Sequence, residues 1–560
     1  MVSNPSAQTS TRNNLAAVAA PAAKPRVSDT PGVAAVQATD RSAIWRRLTS
    51  RESLLLGGVL VVALLLRLPY LWQVPRFTDE LQEILWSLAI YRGEILPLTA
   101  VDSYYGPLWS YLMAGSFLLD PSAQYLEYLP RVAATLLALV SVAATYYVGR
   151  DMAGHRAGLI AAAFMATSGG HIIINSHTAR SNSITPLIST VLVWAVWRAT
   201  RTSNGRWLAL AGFLFALALQ THLSGIAFAP GLALAVLVLR PRLLLTRWVP
   251  LAVVAFLIGY SNMLFWNLQN GFWSFVHARA LQQGYTDGQS TDVSSYTTNM
   301  GALFESLSRL VSGTIDEAGN PVALVYLALG LAGLGLLAWR GNPVPALFLL
   351  STALVLPYFN PRYGPILSGR YIVPLLPFLY LGIALVVDAL IRRLPAIRTA
   401  WSADLRTTLA SGAMVLLVLF PLAPLVLYYR EVLGDQRTNE PLFLLSTAVQ
   451  TAYQPGDRVL VDESLAQEAL TAGGTDLKAI RMLLEADQIP YEVAKFSRSL
   501  LTADAAAHPR VLVVMSTKKE DDMTRGLQVA AITPEVESAS RSGRRYAVYA
   551  LTQDDAAAGR

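Results

Sequence analysis

The sequence predicts a polytopic α-helical membrane protein with a small α/β domain at its C-terminal end, and three observations lead there. Hydrophobic residues make up 53% of the 560 residues and charged ones only 14%, against about a quarter charged in soluble chains, with a mean hydropathy of +0.41. The apolar residues fall in runs near the roughly 20 residues that cross a bilayer. Arginines sit in the short loops at every second turn of the chain, as membrane orientation demands. The net charge of +7 is therefore topological, and a nucleic-acid partner is excluded as its cause. Cysteine is absent, which rules out disulfides and thiolate metal sites.

Residues 1–40, rich in Ala, Ser, Thr, Pro and Asn, predict a disordered tail with no apolar signal-peptide core. The first apolar run, 54–66 and its flanks to about residue 71, follows Arg41, Arg46, Arg47 and Arg51, so the N-terminus is expected in the cytoplasm. Further spans are expected near 130–149, 157–176, 183–199, 207–222, 224–239, 248–266, 321–339, 343–359, 370–391 and 409–429, eleven in all. The stretch 104–119 is too short for a crossing and would invert every later arginine loop, so it reads as a juxtamembrane helix on the outer leaflet.

The expected organisation is thus a tail (1–40), a transmembrane domain (41–430) and an extracytoplasmic domain (431–560). In the last, the runs 457–462 and 510–515 read as buried strands, 477–486 as a helix and 488–493 as a further strand, with Gly473-Gly474 a turn and no phosphate-loop pattern.

Ionisable groups are costly in a membrane and tend to mark function. Those at the outer span ends are Asp79-Glu80, Asp102 before Tyr104-Tyr105-Gly106-Pro107-Leu108, His171, His177, Arg180 and Asn182, His222, and Arg362-Tyr363 with Arg370-Tyr371. Glu83 reads as solvent-facing. The histidines read as interfacial rather than as metal ligands. Carboxylates opposite arginines on one face fit a base that activates a nucleophile and a clamp for an anionic leaving group.

On Asp79-Glu80, Ala89-Ile90-Tyr91-Arg92-Gly93, Tyr105-Gly106-Pro107-Leu108-Trp109, the stretch 131–150, the stretch 158–166, Thr178-Ala179-Arg180-Ser181-Asn182 and Gly369-Arg370-Tyr371 with Pro374 and Pro377, the chain resembles GT-C superfamily glycosyltransferases of the protein O-mannosyltransferase and aminoarabinose-transferase type. The resemblance runs over about 50–430. It implies an inverting transfer of a sugar from a polyprenyl-phosphate donor to a protein, glycolipid or polysaccharide acceptor, on the outer face of a bacterial cytoplasmic membrane. It implies Asp79 as general base, Glu80 as its assistant or as ligand to a divalent cation (Mg or Mn), and Arg370, Arg180 and Tyr371 around the donor phosphate. Asp102, Tyr105 and His177 are the expected substrate contacts. Two departures stand out: Gly106-Pro107-Leu108 where relatives carry Pro-Pro-Leu, and Asn182 where relatives carry an acid. The alternatives are a transporter or flippase for a lipid-linked substrate, disfavoured by ionisable groups at span ends rather than at the midplane, and an inactive scaffold, which Asn182 keeps open.

The map predicts that single cysteines at Asp79 and Arg370 react with an impermeant thiol reagent in intact cells. Those at Arg150 and Arg392 are expected to react only after permeabilisation. Labelling at 392 without 79 would invert the topology.

Overall fold

The computed structural model describes residues 51–69, 71, 78–95, 105–122, 126, 128–285, 293–314, 319–359, 369–393, 402–422, 425–427, 429–430, 440–463, 475–517, 523–525, 527–533, 536–537 and 545–553. The expected tail 1–40, Asp102, Arg362-Tyr363 and Gly473-Gly474 lie outside these residues. The architecture is mostly helical, with one small sheet near the C-terminal end.

Three described helices are long and apolar enough to cross a bilayer: Tyr128–Ala153, Pro321–Trp339 and Val373–Arg393. Two bent pairs raise this to five, and the shorter apolar helices Leu108–Leu118, Arg206–Thr221, Leu223–Leu239 and Val344–Tyr358 accompany them. Leu136, Val238, Leu324 and Leu354 point outward from these helices, as lipid-facing positions do. The stretch expected as a juxtamembrane helix forms a two-turn helix, Leu108–Ala114, closed by a 3-10 turn, Gly115–Leu118.

The expected third span is broken. His155–Thr167 and Gly169–Asn175 meet at 61°. Ser168 supplies the cause: its backbone is extended, and its hydroxyl accepts the amide of His171 and restarts the helix as an N-cap. A similar 65° bend separates Trp248–Gly259 from Ser261–Gln269.

Small residues let the helices close. Pro321–Trp339 and Leu376–Arg393 cross at bare backbone: a Cβ on Gly333 would lie 1.9 Å from the Gly382 carbonyl oxygen, and one on Gly382 would lie 2.1 Å from that of Gly330. Gly158 likewise sits against the backbone of Tyr146 and Arg150. Such contacts replace the hydrophobic drive that lipid removes.

In the sheet, β1 (Arg458–Asp462), β2 (Glu492–Ala494), β3 (Val511–Ser516), β4 (Leu527–Ala531), β5 (Val536–Glu537) and β6 (Arg545–Gln553) run in the order β2-β1-β3-β6-β4, with β5 on β6. β1 pairs in parallel with β2 and β3, and β6 is antiparallel to β3. Alternation sends Val459, Val461, Leu512 and Val514 to one face, where Leu445, Ile480 and Leu483 cover them. Leu460, Val511 and Val513 go to the other, under Phe496 and Leu501. The first cluster extends into the helix Thr78–Tyr91, whose Leu81, Ile84, Leu85 and Leu88 lie at i, i+3, i+4 and i+7 and are all buried in it.

Gly333→Leu is expected to lower the thermal melting temperature of the purified protein, since overpacking costs about 1–3 kcal/mol or more against rigid backbone. Gly335→Leu, at an exposed position with nothing nearby, should leave it unchanged.

Candidate active site

The helix Thr78–Tyr91 has two unlike faces. Opposite its apolar row, Glu80 and Glu83 stand one turn apart and reach into the segment 179–181. Glu80 is fully buried and paired with the fully buried Arg131 of the helix Tyr128–Ala153. The guanidinium donates from Nε to Oε1 and from Nη2 to Oε2, both at 2.8 Å. Oε1 also accepts the Ala179 amide at 2.7 Å, and Arg131 Nη1 donates to the Leu71 carbonyl at 2.7 Å. Glu83 takes the Ser181 amide at 2.5 Å and its hydroxyl at 3.1 Å. Asp79 is the second residue of this helix, so its backbone is set by the anchor beside it.

The segment that receives these carboxylates is itself tied. Asn175 Nδ2 donates to the carbonyls of Asn182 and Ser183 at 3.3 and 2.9 Å. The Thr178 hydroxyl returns to Ile174 at 2.8 Å, and that of Ser183 to Thr178 at 2.9 Å. Asn182 is buried, and its carbonyl serves this loop.

A second fully buried arginine lies next to this segment. Arg67, at the end of the helix Arg51–Arg67, donates to the Ala166 and Met165 carbonyls at 2.8 and 3.1 Å. These are among the carbonyls that the break at Ser168 leaves without helical partners. Its Nη2 lies 2.8 Å from His171 Nδ1. His177 then spans from the Arg67 carbonyl, 2.7 Å from Nε2, to the Tyr429 hydroxyl at Nδ1.

Arg180, His222, Arg370 and Tyr371 form the cationic part. The turn Gly369–Tyr371 packs on Ser181–Ile184 and Gly169–Asn175. Arg370 donates to the Tyr371 hydroxyl at 2.6 Å, and its guanidinium lies 4.8 Å from that ring's centroid. The His222 ring sits 4.7 Å from Tyr371 and within electrostatic reach of both Arg370 and Arg180. Its Nδ1 accepts the Ser224 amide at 3.0 Å, which leaves Nε2 to carry the proton in the neutral ring. Tyr105 packs edge-on to Trp86 at 5.7 Å. Gly106 donates its amide to the Gln220 carbonyl at 2.8 Å, where a Cβ would come 2.7 Å from the Gln220 side chain. Glycine at this departure from the resembled pattern is thus a matter of room.

Three sequence expectations change. His177 is buried with both ring nitrogens engaged inside the protein, so a substrate contact does not fit its placement. Glu80 does not fit a metal ligand: both oxygens accept from Arg131, whose charge would face any cation bound there. Glu83 is not solvent-facing but buried on Ser181. Arg67 and Arg131 join the site without being among the residues expected there, although each is an ionisable residue at the edge of an apolar run. His222 joins it through neighbours far away in the chain, Tyr371 and Arg370 among them.

Residues 105–266 match the family model described as dolichyl-phosphate-mannose-protein mannosyltransferase. The fold is similar to that of ArnT from Cupriavidus metallidurans bound to undecaprenyl phosphate, with a TM-score of 0.57 and 14% identity over 89% of this chain and 97% of that one. The apo form of the same protein gives a TM-score of 0.56 and 13% identity, with the same coverage. The archaeal oligosaccharyltransferase AglB from Archaeoglobus fulgidus, in complex with an inhibitory peptide and a dolichol-phosphate, gives 0.48 and 12%, over 85% of this chain and 70% of that one. No curated protein matches the sequence. The resemblance read from the sequence is therefore shown at the level of fold and over the matched stretch, and the architecture is that of a polytopic membrane protein.

Removing one partner of a buried pair strands a charge and typically costs about 3–5 kcal/mol. Glu80→Met and Arg131→Met are each expected to lower the melting temperature strongly, and the double variant should recover part of the loss. Additive losses in the double variant would mean that the two side chains are not coupled.

Proposed function

We propose that this chain is an inverting glycosyltransferase that moves a sugar from a polyprenyl phosphate to an acceptor hydroxyl on the outer face of the cytoplasmic membrane. The observation that carries the reading is the convergence of Arg180, Arg370 and His222 beside the loop that Glu80 and Glu83 hold against the Asp79 helix. The fold shared with a protein that binds undecaprenyl phosphate supports the same donor class. The match of 105–266 to a mannosyltransferase model supports sugar transfer.

In this mechanism the acceptor oxygen attacks the anomeric carbon while Asp79 takes its proton. The bond from that carbon to the phosphate oxygen breaks, and the polyprenyl phosphate leaves with the electron pair on the face opposite the nucleophile. Negative charge grows on the phosphate as the bond breaks, so Arg370 and Arg180 stabilise the transition state more than the ground state. Tyr371 holds the Arg370 guanidinium in one orientation through its hydroxyl and ring. Burial of Arg180 strengthens its attraction for the phosphate relative to water. Sugar, polyprenol length and acceptor are left to the contacts of the outer loops.

Membranes carrying the wild-type chain, given a panel of radiolabelled polyprenyl-phosphate sugars, are expected to release polyprenyl phosphate with at least one of them. Asp79→Asn should lower turnover by about 10²–10⁴-fold, the usual contribution of a general base. Arg370→Lys, which loses the planar fork, should lower it as well. Equal turnover in Asp79→Asn would remove that residue from the chemistry, and no turnover with any donor would sink the reading.

A further inference from the structure

A second polar site lies at the other end of the helix Thr185–Thr202. This helix starts where Ser181–Ile184 leaves the candidate active site, and its 18 residues extend about 27 Å at 1.5 Å per residue. That is close to the thickness of a bilayer's hydrocarbon core, so its last turn reaches the opposite interface. There a cavity of about 130 Å³ opens between three helix ends, lined by Trp197, Thr200 and Arg201, Leu239 and Arg240, and Gly341 and Asn342. Room of this size accepts a small anion or a few waters.

The lining holds two arginines and no acid. Among the described residues neither guanidinium forms an ion pair, and the one bond of Arg240 is a 3.3 Å contact to the neighbouring Leu239 carbonyl. Gly341, at φ +85°, turns the chain after Pro321–Trp339 and brings the Asn342 amide back to the Leu337 carbonyl at 3.1 Å. Asn342 is thereby held at 9% exposure, with neither its Nδ2 nor its Oδ1 hydrogen-bonded. Positive charge at the C-terminal ends of three helices answers their dipoles. A buried carboxamide with both ends unsatisfied is not explained that way, because it requires a partner. Just outside the cavity, Val238 and Trp339 are 63% and 90% exposed and present apolar surface at the same depth.

We propose that this cavity binds a phosphate group at the cytoplasmic interface, carried by an anionic phospholipid whose chains lie along the exposed apolar surface or present as free phosphate. Arg201 and Arg240 pair with the phosphate oxygens, and Asn342 Nδ2 donates to one of them. The site is separate from the proposed transfer chemistry and stands whether or not that reading does.

The test uses the full-length chain, purified in detergent and delipidated. Its melting temperature is titrated with phosphatidylglycerol, phosphatidylcholine and inorganic phosphate, and native mass spectrometry counts retained lipid. Wild type should be stabilised by phosphatidylglycerol and not by phosphatidylcholine. Arg201→Gln/Arg240→Gln should weaken half-saturation by about tenfold, as loss of charge-assisted hydrogen bonds does. Asn342→Leu, which fills the cavity and keeps both charges, should do the same and serves if the double variant fails to fold. Arg242→Gln, in the same basic loop but outside the cavity lining, should bind as wild type does. Stabilisation by inorganic phosphate equal to that by phosphatidylglycerol would support the site with free phosphate as its ligand. Equal stabilisation by the two lipids, or an equal loss in Arg242→Gln, would overturn the proposal in favour of general surface charge.

Discussion

The bidentate pair between Glu80 and Arg131 is the contact on which the candidate site depends. It ties four pieces of chain that are distant in sequence: the end of the first apolar run through the Leu71 carbonyl, the helix Thr78–Tyr91, the start of Tyr128–Ala153, and the loop at Ala179. Burying two charges is costly unless their remaining donors and acceptors are met. Here the carboxylate gains a backbone amide and the guanidinium a backbone carbonyl, so the pair is satisfied by main chain that must then stay where it is. The desolvation cost is converted into positional precision for the neighbouring Asp79 and Arg180.

The Arg67 network works on the same principle. A broken helix exposes carbonyls, and an arginine from another helix takes them. Its own carbonyl then orients His177, which reaches Tyr429 near the end of the transmembrane region. The buried polar groups of both networks serve to join elements distant in the chain.

Much of the architecture was legible because it rests on composition and period. Apolar runs, arginine loops and the alternation in 458–462 and 511–516 all have local causes. The Asp79-Glu80 and Arg180 segments stand out in the sequence because charge at a span end is unusual, and the fold joins them through Ala179 and Ser181. What escaped the sequence has non-local causes. Glu83 looked like one more exposed acid, because only the folded loop supplies Ser181. The break at Ser168 sits inside an apolar run of the right length, and its signal, a serine before two glycines, is weak in a membrane segment. His177 looked available for the same reason that it is not: its partners, Arg67 and Tyr429, are 110 and 252 residues away. The expected eleven spans rest on charge bias, whereas length and composition among the described residues support three, or five with the bent pairs, because several helices are bent or short.

The C-terminal sheet shares its core with the apolar face of the helix Thr78–Tyr91, and Arg92 donates to the Ala486 carbonyl across 394 positions of sequence. Contacts of this span form late, since the intervening chain must first exist. At a synthesis rate of about 5–20 residues per second, the ribosome needs roughly 20–80 s to travel from one partner to the other. Through that interval Phe117 and Leu126 are available to the leucines of this helix, but the partners from the sheet's domain, Leu445, Ile480 and Leu483 among them, are not. Burial of this helix is thus completed only once the sheet's domain has been made, and a chain truncated before the sheet would leave part of its apolar row uncovered.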